Sequence, residues 1–396
     1  MRGSLNIHIA PSDVQPLVER AQTLPARPGV IAFEARDGST VLLAATGDLR
    51  RFALTRPGQG DETTPARREN LAPVTAALRA RVVGSSFEGD ALYLEEARER
   101  LPATYRSALD TRRVWAVRLD PGARTPVWRK LDLLAASGQG ETLEPSTLIA
   151  PFGDKDNPGR YAERLDDLFD LCRTPRELEL APNGRACAYK EMGRCDAPCD
   201  GSASMEAYRA RVRDAVRFAA QPVELSLSAI DQRMARAAGE QDFELAAQLR
   251  SRAERIRKGR KPGAAWATTL DRFAVLGAFP SVRRARVSLF IATASAIEHW
   301  ADVGGDLTRA CARELLPRIT GRAEDLLPRT PLGVSACERL AMLTHHLYHP
   351  RRGAGELIAL GPSTDAAQLC TLVRRAGRLE PAAMSDTPDT QLGPRA

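Results

Sequence analysis

A chain of 396 residues with 43% hydrophobic content has room for two to four domains with real cores, and its aromatic share of 5% means that Leu, Val and Ala build them. The formal net charge of +7 favours polyanionic partners, nucleic acid or an acidic membrane surface, although an arginine excess also follows from GC-rich coding. The longest apolar stretch, around Val287–Ile297, is broken by Ser and Thr and is too short to span a bilayer. The opening residues Met1–His8 lack the apolar core of a signal peptide, so a cytoplasmic protein with reduced thiols is expected.

In chain order, a short strand is expected at Leu5–Ile9 and a helix at Asp13–Gln22. Two strands, Val30–Glu34 and Thr40–Ala45, flank Asp37-Gly38, a strong hairpin signal. Gly58–Pro65 reads as a loop, Leu71–Val82 and Asp90–Arg100 as helices, Val114–Leu119 as a strand and Gly138–Pro145 as a linker. Tyr161–Leu171 is an amphipathic helix with Tyr161, Leu165, Leu168 and Phe169 on one side, and Met205–Ala219 is another helix. Phe273–Phe279, Arg286–Thr293 and Glu356–Leu360 read as strands, Asp306–Ile319 and Gly333–Leu347 as helices, and the tail after Glu380 as disordered.

Four of the seven cysteines lie within 28 residues: Cys172, Cys187, Cys195 and Cys199. Four thiols so spaced can close a tetrahedral thiolate site, zinc or iron–sulfur. The bland alternative is that all seven are reduced, buried, small apolar side chains. Against it stand the charged neighbours Arg185, Lys190 and Arg194 and the lack of any apolar period that would bury all four thiols.

Residues 224–258 read as a helical hairpin. Leu227, Ile230, Met234 and Ala238 have helical spacing, Gly239 ends the first helix, Asp242 caps the second, and Phe243, Ala246, Ala247 and Leu249 resume an apolar face. A lone two-helix unit cannot bury that face by itself, so it packs either on a partner or on this protein's own core. The run Arg250–Lys261 carries seven basic residues against one acidic. Arg252, Arg255, Arg257, Lys258, Arg260 and Lys261 are its candidate DNA-binding cations.

Taken together, these segments resemble the UvrC family, the nuclease subunit of bacterial nucleotide excision repair, and its shorter Cho-type relatives. The family carries Phe-x-x-Arg-x-Cys and then Cys-x7-Cys-x3-Cys with Ala-Pro before the last cysteine. This chain has Phe169-Asp-Leu-Cys172, then Cys187-x7-Cys195-Asp-Ala-Pro-Cys199. It lacks the arginine before the first cysteine, and its first gap, x14, is slightly long. The resemblance implies a 4Fe-4S cluster on Cys172, Cys187, Cys195 and Cys199, with zinc as the alternative.

The hairpin is similar to the family's UVR motif: Met234-Ala-Arg-Ala237-Ala238, then Phe243-Glu244-Leu-Ala246-Ala247-Gln-Leu-Arg250, with Ser251 where the motif has Asp. The resemblance implies that Met234, Ala237, Ala238, Phe243, Glu244, Ala246, Ala247 and Arg250 meet a UvrB-like helicase, with Phe243, Met234 and the alanine pairs on one seam.

The N-terminal segment resembles the family's GIY-YIG nuclease in frame: Pro28-Gly29-Val30, Asp37-Gly38, Asp48-Leu49-Arg50 and Ala91-Leu-Tyr-Leu-Glu95. Its chemistry is mostly absent. Ile31 and Leu42 stand at the two tyrosines, Ala44 at the glycine, Ala45 at the lysine and Phe52 at the arginine. Only Glu95, the family's metal-ligand position, is retained, and beside Glu96 it reads better as a surface residue on an acidic helix face. Phosphodiester hydrolysis needs an activated water, a metal and cations on the phosphoryl oxygens, and Ile, Leu, Ala and Phe supply none of these. Residues 264–380 are too short for the family's second, RNase H-like nuclease with its DNA-binding hairpins. His299 fits no trusted pattern, and His345, His346 and His349 read as a solvated helix end.

The expected fold is α+β and modular. A degenerate GIY-YIG-like small mixed sheet with an N-terminal extension spans 1–110, a linker strand region and four-cysteine module 111–222, the hairpin 223–260, a small diverged α/β region 261–380 and a tail 381–396. The expected function is that of a UvrC-like repair protein that binds DNA, UvrB or both and does not cut. The alternatives are an active excinuclease-type endonuclease and a scaffold or regulator of a UvrB-like helicase that does not bind DNA. No membrane partner is expected.

Overall fold

Alternating burial builds the first sheet. In β2 (Gly29–Glu34) and β3 (Thr40–Thr46), Val30, Ala32, Leu43 and Ala45 turn to one face and meet Leu92 and Ala97 of α3 (Ser86–Arg100). Ile31, Phe33 and Leu42 turn to the other, against α1 (Leu17–Ala21) and α2 (Leu49–Thr55). With β1 (Ile7–Ile9) and β4 (Ala77–Val82) the order is β1-β4-β2-β3, antiparallel throughout. The hairpin turn is where Asp37-Gly38 places it: Gly38 has φ +82°, and Asp37 Oδ1 accepts from the Ser39 amide at 2.9 Å and its hydroxyl at 2.6 Å. The computed structural model describes residues 5–10, 16–55, 71, 73–106, 113–221, 223–259, 262–349 and 355–379. The loop expected at Gly58–Pro65 and the tail after Glu380 lie outside them.

The helix expected at Leu71–Val82 is instead strand β4 with its leading turn. Leu, Ala and Arg favour a helix in isolation, but Leu78 and Ala80 alternate inward with Arg79 and Arg81, and the slot between β1 and β2 accepts only an extended segment. Of the helix expected at Asp13–Gln22, α1 takes up Leu17–Ala21, and residues 13–15 lie outside the described residues.

The second sheet, β6-β5-β7-β8, joins β5 (Trp115–Arg118), β6 (Arg129–Asp132), β7 (Leu148–Phe152) and the short β8 (Thr268–Thr269). β6 and the following α4 (Leu133–Gly138) had no sequence signal, so the expected linker begins where α4 ends. α5 (Asn157–Phe169) packs Ala162 and Leu165 on this sheet. The cysteine module follows, with α6 (Pro175–Glu179), α7 (Ala188–Glu191) and α8 (Met205–Ala219), the last capped by Ser204 Oγ accepting from the Ala207 amide. Next come the hairpin helices α9 (Val223–Gly239) and α10 (Phe243–Gly259).

The third sheet has the order β11-β10-β9-β12, from β9 (Ala274–Pro280), β10 (Arg286–Thr293), β11 (Ile297–Gly304) and β12 (Glu356–Ala359). One face carries α11 (Arg309–Leu326) and α13 (Ala366–Ala376). The other carries α12 (Val334–Tyr348) and, in the same buried cluster, Phe87, Ala91 and Leu94 of α3 and Val114 and Ala116 of the second sheet. Among the described residues this core thus joins the second and third sheets to the helix that packs on the first. Phe87 stacks on Phe279 with ring centroids 4.5 Å apart, and a Cβ on Gly84 would lie 2.2 Å from the Pro280 carbonyl oxygen, so only glycine lets the chain entering α3 come this close to β9.

Candidate functional site

The four cysteines sit on one small module in which short helices alternate with turns. Cys172, Cys195 and Cys199 are buried and Cys187 is partly exposed. The Thr174 amide donates to Cys172 Sγ at 3.4 Å, the Ala197 amide donates to Cys195 Sγ at 3.4 Å, and Cys199 Sγ donates to the Arg185 carbonyl at 3.4 Å. Tyr208 of α8 accepts from the Cys172 amide and is itself buried. Burial pushes the Cys172 thiol up to about 11, and Cys195, Cys199 and Cys187 act on it electrostatically in the same direction. The backbone N–H groups aimed at the Cys172 and Cys195 sulfurs suit thiolates. Among the described residues no three His, Cys, Asp or Glu side chains already stand in metal-holding geometry. The other three cysteines divide: Cys337 and Cys370 are core residues and Cys311 is exposed.

Two exposed apolar side chains, Met192 and Leu180, flank this module, and Arg173 lies over the Tyr189 ring at 4.6 Å. Beneath it, Asp166 accepts from Trp128 Nε1 at 2.6 Å, yet burial outweighs that bond and raises its carboxyl to about 7.

In the hairpin, Ala237, Leu249, Ala253 and Ile256 form the buried seam. Phe243 does not join it: at 69% exposure it stands at the tip beside the Gly239–Asp242 turn, with Glu244, Ala238, Ala247 and Arg250 also exposed and Met234 and Ala246 half-buried. The base of α10 is held by α5. Arg252 lies over the Phe169 ring at 5.0 Å, and Arg255 donates to the Asp167 carbonyl at 2.9 Å. Arg257 pairs with Asp231 at 3.3 Å. These three cations of the basic run are therefore engaged within the chain. The side chain of Lys258 and all of Arg260 and Lys261 lie outside the described residues.

At the nuclease-like frame, Ile31 and Leu42 are buried toward α1 and α2, with Phe52 against Phe33 at 6.1 Å between ring centroids. Ala45 turns to the opposite face. Glu95 lies on α3, whose Leu92 and Ala97 share a cluster with Ala45. It is not on a solvated acidic face: Arg339 of α12 donates to its Oε1 at 2.7 Å and Oε2 at 3.4 Å, and Arg98 donates at 3.2 Å. Burial raises its carboxyl, but the Arg339 bonds and charge, with Arg98, outweigh burial and hold it below the usual carboxylate range. Glu96 is buried and bound by Arg100 at 2.6 Å. The histidines of α12 also depart from expectation. His346 is buried, its Nε2 2.9 Å from Asp90 Oδ2, because α12 packs its C-terminal half on α3. Sequence reasoning missed this seam, in which Glu338 receives Arg98 at 2.9 Å and the Tyr105 hydroxyl at 3.0 Å. Partners some 240 residues apart leave no local signal.

The molecule is thus a mixed α/β protein in which three small antiparallel sheets frame a cysteine module and a helical hairpin. Residues 130–218, which include all four clustered cysteines, match the family described as UvrC/Cho excinuclease, middle domain. Among curated proteins the chain is similar to UvrABC system protein C of Natronomonas pharaonis, 28% identical over 62% of this chain and 40% of that protein. It is also similar to UvrABC system protein C of Geobacter metallireducens, 25% identical over 58% and 36%, and of Halobacterium salinarum, 30% identical over 59% and 38%. Over the part that these matches cover the chain is similar to UvrC/Cho-type proteins, and it spans about two fifths of the length of these relatives. No solved structure gives a significant match. Among the described residues no helix is long and apolar enough to cross a membrane.

Proposed function

We propose that this chain is a UvrC-like factor of nucleotide excision repair that binds DNA, a UvrB-like helicase or both, and whose GIY-YIG-like domain does not cut. The observation that carries the reading is the match of residues 130–218 to the family's middle domain, with the cysteine spacing inside it. The non-cutting part rests on Glu95. Its carboxylate is spent on Arg339 and Arg98, and the positions of the missing tyrosines and cations are apolar and point elsewhere. A carboxylate held by two guanidinium groups is a poor metal ligand, since a divalent ion would have to displace both.

Cys172, Cys187, Cys195 and Cys199 would hold a 4Fe-4S cluster, with zinc the alternative donor match. Once bound, the group supplies cross-links that fix the module, and its loading is coupled to the ordering of the four side chains. The Thr174 and Ala197 amides orient the Cys172 and Cys195 sulfurs, and the Tyr208 hydroxyl holds the Cys172 backbone amide.

Phe243 at the free tip of the hairpin is the anchor we assign to the helicase partner, because an exposed aromatic at a helix turn offers a large apolar contact at little ordering cost. A scaffold that engages the helicase without DNA gains weight from the internal engagement of Arg252, Arg255 and Arg257. The test of the whole is twofold. UvrB should be captured by the chain and lost with Phe243→Asp, and a damaged plasmid with magnesium or manganese, UvrA and UvrB should stay unnicked. Incision by the wild type that disappears in Glu95→Ala would overturn the non-cutting reading and promote an active excinuclease. Absence of UvrB capture would remove the partner.

A further inference from the structure

A cleft of about 440 Å³ opens where the first sheet meets the third, away from both the cysteine module and the hairpin tip. Its floor is a polar group assembled from three separate segments. Asp302 of β11 accepts from the Ser288 hydroxyl at 2.7 Å and lies 3.1 Å from His299 Nε2, while the His299 ring rests against Phe290 at 5.2 Å. Glu88, on the first turn of α3, accepts from the Gly84 amide at 2.8 Å. The walls are fixed by the close approach of Gly84 to Pro280 and by Arg27, which donates to the Val282 carbonyl at 2.8 Å. The cavity is therefore preformed and of a size suited to an organic ligand, larger than a single small anion needs.

The charges in it favour an anion. Both carboxylates are occupied: Asp302 by Ser288 and His299, and Glu88 by the Gly84 amide, with burial raising Glu88 toward its neutral form. The cations are freer. Arg81 of β4 stands a loose 3.8 Å from Glu88, and Arg283, on the exposed β9–β10 turn opposite, has no ion pair among the described residues. Ile7, Val82 and Val282 add apolar surface to the lining, and Asn6 adds an amide. A phosphate beside two guanidinium groups, a flat apolar slot and an amide able to read a ring edge together describe one ligand class.

We propose that this cleft binds a nucleoside monophosphate, free or at the phosphorylated end of a DNA strand, with the phosphate between Arg81 and Arg283 and the base against Ile7, Val82 and Val282. His299 is held by Asp302 through Nε2, which leaves Nδ1 to accept from a sugar hydroxyl. The site goes beyond the repair reading and stands or falls separately from it, since neither UvrB capture nor plasmid nicking reports on it.

Titration calorimetry on the full chain tests it, with dAMP, deoxyadenosine and inorganic phosphate as probes, and with a short oligonucleotide carrying a 5′ phosphate, a 3′ phosphate or neither. dAMP should bind, deoxyadenosine at least about tenfold more weakly, and Arg283→Ala should weaken dAMP about tenfold at unchanged melting temperature. His299→Ala, a substitution at an exposed side chain, should weaken dAMP as well. Displacement of dAMP by a phosphorylated oligonucleotide but not by its unphosphorylated twin assigns the strand end; no displacement assigns the free nucleotide. Equal affinity for deoxyadenosine and dAMP, full affinity in Arg283→Ala, or no binding of either dAMP or the phosphorylated oligonucleotides would overturn the proposal.

Discussion

The nuclease-like frame and the cysteine module have kept opposite things. In the first sheet the backbone is regular, with its hairpin turn at Gly38 and the long helix α3, while Ile31 and Leu42 fill core space and Glu95 pairs with Arg339 of α12. In the cysteine module the backbone is irregular, with short helices and turns; three of its four cysteines are buried, and backbone amides donate to the sulfurs of Cys172 and Cys195. A sheet is held by its alternation, so its functional positions can turn apolar without loss of fold. The module packs Leu171, Leu178, Tyr208 and Val212 in a small core beside Cys172, and a group bound by its cysteines would add cross-links to that core.

The largest effect expected from that contrast is at the cysteines. Protein purified without oxygen should contain iron and acid-labile sulfide, and Cys195→Ser or Cys199→Ser should abolish both and expose the module to protease. Zinc without iron would replace the cluster; neither metal would break the comparison.

Next comes Asp166. Its carboxyl titrates at about 7 in the folded chain against an ordinary 3.8, so the folded form prefers the protonated acid. The stability this contributes is fully present below about pH 4 and is lost as pH rises through 7, an amount on the order of 4 kcal/mol. Asp166→Asn should flatten that part of the profile, measured as urea midpoints between pH 4 and 8. An unchanged slope would place the titration elsewhere.

Glu338→Ala should cost about 3 kcal/mol, because it strands Arg98 and the Tyr105 hydroxyl in the seam between α3 and α12. Chemical denaturation would detect it, and a cost under about 1 kcal/mol would mean that the seam is held by its apolar contacts alone. Restoring tyrosine at Ile31 should cost about 1–3 kcal/mol through overpacking, without restoring incision. A stable, newly active Ile31→Tyr variant would show that the frame still holds a usable catalytic geometry. The smallest stability effect belongs to Phe243→Asp, below about 0.5 kcal/mol at a side chain so exposed, which makes it a clean probe of partner capture.

Much of this was legible in the chain itself. The strand at Arg286–Thr293 and the helix at Met205–Ala219 fall where expected, because apolar period, Ser204 and turn residues all agree locally. The hairpin and its turn were likewise readable from Gly239 and Asp242, the latter accepting from the Leu245 amide. Cysteine spacing carried the family. What only tertiary structure decided are the features made by distant segments. β4 is a strand because a sheet slot overrides the helical preference of Leu, Ala and Arg. Phe243 faces solvent because Ala237, Leu249 and Ala253 already close the hairpin seam. Glu95 and His346 take their partners from an element some 240 to 260 residues away along the chain, and the cleft at His299 exists only because Gly84 lets two sheets touch. Local free-energy preferences are written residue by residue, but which charge meets which depends on packing, and packing is a property of the whole chain.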